Sequence, residues 1–157
     1  RKAFNARGHS IDDWAIEVLR QSGFVVNPVV ITLDLVIVSQ EELGFLELTS
    51  HRALCRRALE YGLELCPAEV APTLILSDHI HFESGTLYIG MKPISDSNNY
   101  NCVFEIKCND DGLCLGISGS YSWEGEHYNH SRLVFVRSRN RQWTFTPPGG
   151  PTKPLQL

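Results

Sequence analysis

The side chains best suited to chemistry form two short groups of histidines and acids in the second half of the chain. His79 and His81 are separated by one residue, and Glu83 follows two residues later. On a strand this spacing places all three side chains on one face, an arrangement that metal sites use. Because zinc needs three or four converging ligands, an exposed polar hairpin loop is the simpler interpretation. We therefore predict no metal and no cofactor.

The second group lies at residues 123–130, in a long polar loop between two predicted strands. Trp123 and Tyr128 are able to stack on a sugar, a base or a peptide side chain, and such loops often carry binding residues. Glu124 or Glu126 beside His127 is suited to proton transfer if a cleft brings them together. We predict Trp123, Glu124, His127 and Tyr128 as the ligand-binding residues and assign no catalytic residue. The alternative, in which Trp123 packs down onto the sheet, stays open.

Length and charge limit the kinds of partner. The chain has 157 residues and a formal net charge of −4. An acidic total argues against nucleic acid, whose binding relies on Lys and Arg neutralising phosphates. No run approaches the roughly 18 apolar residues that span a bilayer, so we expect no membrane partner. An unknown protein, a small molecule and a second copy of the chain remain open as partners.

The composition indicates a single domain at residues 1–145, followed by a tail rich in proline and glycine at residues 146–157. The five cysteines are odd in number and form no C-x-x-C motif. Such a set is more typical of a reducing compartment than of a disulfide framework. We therefore expect a cytoplasmic setting.

Two amphipathic helices are predicted in the first half of the chain. The first begins at Ser10 and ends before Gly23, and its apolar stripe places Trp14 in the core. The second begins at Thr49 or Ser50 and runs to Gly62. A capping box at residues 39–42 predicts one further helical turn.

Strands are predicted at residues 29–38 and then throughout the second half. Residues 29–38 are almost continuously β-branched or leucine, which predicts a strand buried on both faces. Alternating apolar residues separated by turn residues predict the later strands. These centre on residues 74–76, 87–91, 102–108, 113–117, 133–136 and 142–145.

The hairpin at residues 109–112 carries a prediction about register. One register places Cys108 opposite Cys114, close enough for a disulfide, but turns Leu115 away from Phe104. A slip of one residue brings the apolar faces together. Burying several large side chains stabilises by about 1.5–3 kcal/mol each, which outweighs a bond closing so short a loop. We predict the slipped register and no disulfide.

Several segments resemble a family of small uncharacterised bacterial proteins. They are G-L-E-L-C-P-A-E-V-A-P, L-Y-I-G-M-K-P-I-S-D-S, N-D-D-G-L-C-L and R-L-V-F-V-R. The resemblance covers about residues 11–137 and implies a bacterial, cytoplasmic setting. Lys92 stands where the family pattern has an acid, and Cys114 where it has tryptophan. The resemblance implies no activity, ligand or catalytic residue.

Together these features predict an α+β fold, with two N-terminal helices packed on one face of a mostly antiparallel sheet of five to seven strands. The absence of a catalytic signature favours a non-catalytic binding or protein-interaction module, working through the loop at residues 123–130 or through a sheet edge. The alternative is a small hydrolase or metal-dependent enzyme built on one of two sets of residues: His79, His81 and Glu83, or Glu124, Glu126 and His127. The sequence leaves open whether the protein is an enzyme.

Overall fold

An open, mixed sheet of eight strands forms the centre of the described chain. The computed structural model describes residues 1–77, 80, 84–118, 126–127 and 131–138, with residues 126–127 as backbone alone. The strands are β1 (Ser10–Ile11), β2 (Leu35–Ser39), β3 (Thr49–Ser50), β4 (Leu63–Glu64), β5 (Gly85–Ile89), β6 (Ile94–Ser95), β7 (Asn101–Asn109), β8 (Gly112–Ser118), β9 (Glu126–His127) and β10 (Arg132–Arg137). The helices are α1 (Lys2–Asn5), α2 (Asp13–Val18), α3 (His51–Glu60) and α4 (Val70–Leu76).

The order of the strands explains the mixed character of the sheet. The main path is β1-β8-β7-β5-β10-β2, with β4 also paired to β10 and β6 to β7. The β1–β8 and β5–β10 pairings are parallel, whereas the other pairings of this sheet are antiparallel. The α+β class is confirmed, but the sheet has eight strands rather than five to seven. Strands β3 and β9 form a separate antiparallel pair.

Helices cover both faces of the sheet, so the prediction that they pack on one face is wrong. Helices α1, α2 and α4 pack with Phe104 and Val134 in the larger core. Helix α3 packs with Leu133 and Phe135 in a second core. Because Val134 lies between Leu133 and Phe135, alternate residues of β10 face opposite cores. Both faces of β10 are apolar, so each needs a helix packed against it to keep it from water.

The β7–β8 hairpin has the predicted register. Cys108 lies opposite Leu113, and Phe104 lies opposite Ile117. The thiol of Cys114 is free, as is that of Cys108. Gly112 closes the two-residue loop with a φ of +111°, a conformation that favours glycine. The prediction is confirmed because the apolar faces, and not the cysteines, decide the pairing.

Two predicted strands differ in the structure. Residues 74–76 lie in α4, where Val70, Ala71, Leu74 and Ile75 are buried at helical spacing. Residues 29–34 precede β2 and are not part of it. Strand β2 pairs with β10 alone among the described strands, and the paired residues begin with Leu35 opposite Val136. The Arg137 N–H, at the last residue of β10, makes one further hydrogen bond to the Asp34 carbonyl. The strand therefore begins close to the end of its partner.

Two of the three predicted helix caps are present in the structure, and the third is formed by a different residue. The Ser50 hydroxyl accepts a hydrogen bond from the Ala53 N–H at 3.1 Å and caps α3 as predicted. The capping box is also confirmed, because the Glu42 carboxylate accepts from the Ser39 N–H at 2.7 Å. Helix α2, in contrast, is capped by Asp12, while Ser10 is part of β1. It ends at Val18, well before Gly23.

Trp14 is partly exposed and not a core residue, contrary to prediction. Its indole N–H donates to Asp96 Oδ2 at 3.1 Å. The other oxygen, Asp96 Oδ1, accepts from the N–H groups of Asn98 and Tyr100, each at 2.9 Å. Burial alone would raise the pKa of the Asp96 carboxyl, but the hydrogen bonds from Tyr100, Asn98 and Trp14 outweigh it and lower the pKa. Asp96 thereby connects the β6–β7 turn to α2.

We predict that Asp96→Asn destabilises the protein in a pH-dependent way. The ionised carboxylate is favoured in the folded state, so its contribution is present above the unfolded pKa of about 3.9 and is lost as pH falls through the lower folded pKa. Urea unfolding from pH 7 to pH 3 should show a difference between wild type and Asp96→Asn that shrinks in acid. A difference independent of pH would contradict this role of the charge.

Candidate functional site

The two predicted groups of site residues lie almost entirely outside the described residues. This applies to Trp123, Glu124 and Tyr128 in the second group, and to the first group, at positions 79, 81 and 83. The backbone of His127 is described, and it pairs with Thr49 in the β3–β9 ladder. That ladder leads directly into α3, whose first residue, His51, is fully buried. Both groups therefore stay predictions.

A different feature dominates the described surface: a run of exposed aliphatic side chains at residues 25–31, which we call the valine strip. Val30 is 99% exposed, and Val25, Val26 and Val29 are each at least 60% exposed. The sequence predicted part of this run as a buried strand, but the structure leaves it outside the sheet. Contiguous exposed apolar surface commonly marks a site of interaction.

A cleft of about 620 Å³ lies between the valine strip and α4. Residues 27–33 and Leu35 form one wall, and Glu69, Val70, Thr73, Leu74 and Ser77 form the other. Aliphatic side chains make up most of the walls, and each wall also carries polar groups. This volume lies within the range of roughly 300–1,000 Å³ that is typical of small-molecule sites.

One hydrogen bond at Asn27 attaches the valine strip to the body of the protein, and a second one lies within the strip. The Asn27 N–H donates to Glu69 Oε2 at 3.1 Å, and Asn27 Oδ1 accepts from the Val29 N–H at 3.1 Å. A second cavity, of about 650 Å³, shares Asn27, Pro28 and Glu69 with the cleft. The strip is therefore fastened at this point, with open space on both sides of it. Sequence patterns could not reveal the cleft, because its walls lie some forty positions apart in the chain.

A polar cluster of Asp12, Glu105 and Lys107 also lies on the sheet, at strands β1, β8 and β7. Glu105 is 5% exposed, and its Oε1 accepts from the Lys107 ammonium at 2.6 Å. A Cβ placed on Gly116 would lie 3.0 Å from Asp12 Oδ2 and 3.2 Å from Glu105 Oε1. Gly116 thus provides the space in which the two carboxylates approach each other. Asp12 is also engaged as the cap of α2.

The charges of this cluster act on Lys107. The hydrogen bond to Glu105 raises the pKa of Lys107 above its ordinary value, against the opposing effect of partial burial. The negative charges of Glu105 and Asp12 raise the pKa further. Lys107 is thereby held protonated at neutral pH, which suits an ion pair and not a general base.

Neither metal binding nor nucleophilic chemistry at the buried thiols of Cys55 and Cys66 is favoured in the described part of the chain. No group of three His, Cys, Asp or Glu side chains in this part of the chain is placed to hold a metal ion. Burial raises the pKa of the Cys55 thiol to about 12, and burial together with Cys55 does the same for Cys66. Thiols with such pKa values are protonated at neutral pH and are poor nucleophiles.

Comparison with known proteins identifies no relative. No family model matches the chain, and no significant match was found among curated proteins or solved structures. Within the part of the chain that the structure describes, no helix combines the length and apolar character needed to cross a membrane.

We predict that Glu105→Gln lowers the pKa of Lys107 towards its ordinary value. Glutamine can still accept the hydrogen bond but carries no charge to favour the ammonium form. The titration of Lys107 is measurable by NMR of its side-chain carbon next to the ammonium. Asp12→Asn is the matched control, and it should cause a smaller decrease because Asp12 acts through charge alone. Equal effects of the two substitutions would refute the assigned roles.

Proposed function

We propose that this protein is a non-catalytic binding module whose ligand site is the cleft between the valine strip and α4. The observation that supports the proposal most directly is the aliphatic cleft of about 620 Å³, roofed by exposed aliphatic residues. A ligand with a hydrocarbon portion gains free energy by leaving water for such walls. The cleft therefore suits a small, mainly aliphatic molecule.

The polar groups of the cleft are fewer than its apolar ones, and they include Asn27 and Thr32 in the wall formed by residues 27–33. Thr73 and Ser77 lie along α4, and Glu69 lies at the junction with the second cavity. Sites of this kind use an apolar body for affinity and a small number of polar groups for orientation. The five free thiols suit a reducing compartment, and we propose a cytoplasmic setting for the module.

The alternative proposal is a small hydrolase or a metal-dependent enzyme. It depends on the histidines and acids at positions 79–83 and 124–127, most of which lie outside the described residues. Among the described groups, Glu105 and Lys107 are already paired with each other. Binding in the cleft is therefore favoured over catalysis.

The experiment is a titration with straight-chain alcohols of increasing length, followed by NMR of methyl groups. We expect shifts confined to cleft residues such as Leu33, Val70 and Leu74. Each added CH₂ should tighten binding by about fourfold, corresponding to ~0.8 kcal/mol, until the cleft is filled. Beyond that length the gain should stop, because the additional carbon atoms remain in water.

Thr73→Trp should weaken alcohol binding by about tenfold or more, because the indole occupies space that the ligand needs. Thr73 is exposed on α4, so the fold should tolerate the change. Arg56→Trp on the exposed side of α3 is the matched control and should bind as wild type does. Shifts scattered over the surface, or unchanged binding by Thr73→Trp, would exclude the cleft as the site.

A further inference from the structure

The outer edge of β2 presents backbone groups that no other described residue satisfies. Strand β2 is the last strand on the sheet path, and it pairs with β10 alone among the described strands. The Arg137 N–H donates to the Asp34 carbonyl and the Gln40 N–H donates to the Ser131 carbonyl. Even-numbered residues of this region therefore direct their backbone groups towards β10, and odd-numbered residues direct theirs outward.

The unsatisfied part of this edge is short and sharply bounded. At its far end the Ser39 N–H is bound by Glu42, and the Ser39 carbonyl accepts from the Leu43 N–H at 3.2 Å. The outward N–H and C=O groups of Leu35 and Ile37 have no backbone partner among the described residues. Such an edge is a template for pairing with another strand unless charge, proline or a bulge protects it.

We infer that the outer edge of β2 pairs with β2 of a second copy of this chain, in an antiparallel arrangement about a two-fold axis at Val36. In this register Leu35 lies opposite Ile37 of the second copy, and Ile37 lies opposite Leu35. Each pair exchanges two backbone hydrogen bonds, so all of the outward groups of Leu35 and Ile37 are satisfied. A two-fold axis at Ile37 would instead place Leu35 opposite Ser39, whose backbone groups are already occupied.

The charges near this edge favour a second copy in spite of the net charge of −4 on each chain. Residues 24–33 contain no ionisable side chain. Two acids lie beside the edge, and each has a partner in its own chain: Asp34 lies 3.7 Å from Arg137, and the Glu42 carboxylate accepts from the Ser39 N–H at 2.7 Å. These contacts limit the like-charge repulsion between two copies that meet at this edge.

Exposed aliphatic side chains lie on both sides of β2 in the chain. The valine strip precedes the strand, and Leu46 and Leu48, which are 81% and 48% exposed, follow it. Antiparallel pairing brings the start of one β2 beside the end of the other. The valine strip of each copy therefore lies near the end of the partner's β2, which Leu46 and Leu48 follow in the chain. Each contact occurs twice because of the two-fold symmetry. Burial of these side chains adds to the hydrogen bonds of the edge.

The test is sedimentation equilibrium of the full chain over a wide range of concentration. We expect a monomer–dimer equilibrium, with the amides of Leu35 and Ile37 exchanging more slowly as the dimer forms. Ile37→Pro should weaken the dimer by about tenfold or more, because it removes one outward N–H from each copy. An edge strand tolerates proline where the N–H points away from the sheet.

A second variant keeps the test decisive if Ile37→Pro fails to fold. Ile31→Asp, in the valine strip, should also weaken the dimer, whereas Leu59→Asp on α3 should not. Ile31 and Leu59 are similarly exposed, at 42% and 45%, so the two changes are matched. If Ile31→Asp and Leu59→Asp weaken the dimer equally, the interface lies elsewhere and the inference is overturned. A dimer that neither Ile37→Pro nor Ile31→Asp weakens would overturn it as well.

A monomer at every concentration would equally overturn the inference. Protected Leu35 and Ile37 amides in such a monomer would show that the chain covers the edge itself, for example with the strand predicted at residues 142–145. Alcohol binding by the cleft is a separate measurement, so the two proposals can fail independently.

Discussion

The two-sided burial of β10 is the constraint on which the rest of the structure depends. Its side chains alternate between the core beneath α3 and the core beneath α1, α2 and α4. A slip of one residue would exchange the two sets and place every side chain against the wrong helix. Gly90 reinforces this register, because a Cβ there would lie 2.2 Å from the Phe135 ring. Phe135 therefore packs directly against the neighbouring backbone.

The features that depend on side-chain alternation could be predicted from the sequence. The slipped register of the β7–β8 hairpin follows from the residues on each face, and the cap of α3 follows from Ser50. Features that depend on distant partners could not. Trp14 belongs to an apolar stripe, but its partner Asp96 lies 82 positions away. The short apolar run at residues 74–76 suited a strand as well as a helix until its buried neighbours at Val70 and Ala71 were known.

The largest disagreement between sequence and structure is also the most informative one. Residues 29–34 have the composition of a buried strand, yet many of their side chains are exposed to solvent in the described structure. Both proposals concern this region, since the cleft lies beneath the valine strip and the unsatisfied edge of β2 follows it. The candidate site itself was not predictable, because α4 and residues 27–35 meet only in the folded chain. Local patterns that fail are expected to mark functional surfaces.

Amide hydrogen exchange followed by NMR in dilute protein tests most directly whether β10 is central and β2 is an edge. Strand β10 has neighbours on both sides, so the amides of Leu133 and Val134 should both exchange only through global unfolding. In β2 the protection should alternate, with a slow amide at Val36 and a fast one at Ile37. Fast exchange at Val134, or equal protection of Val36 and Ile37 at the lowest concentration, would contradict this account.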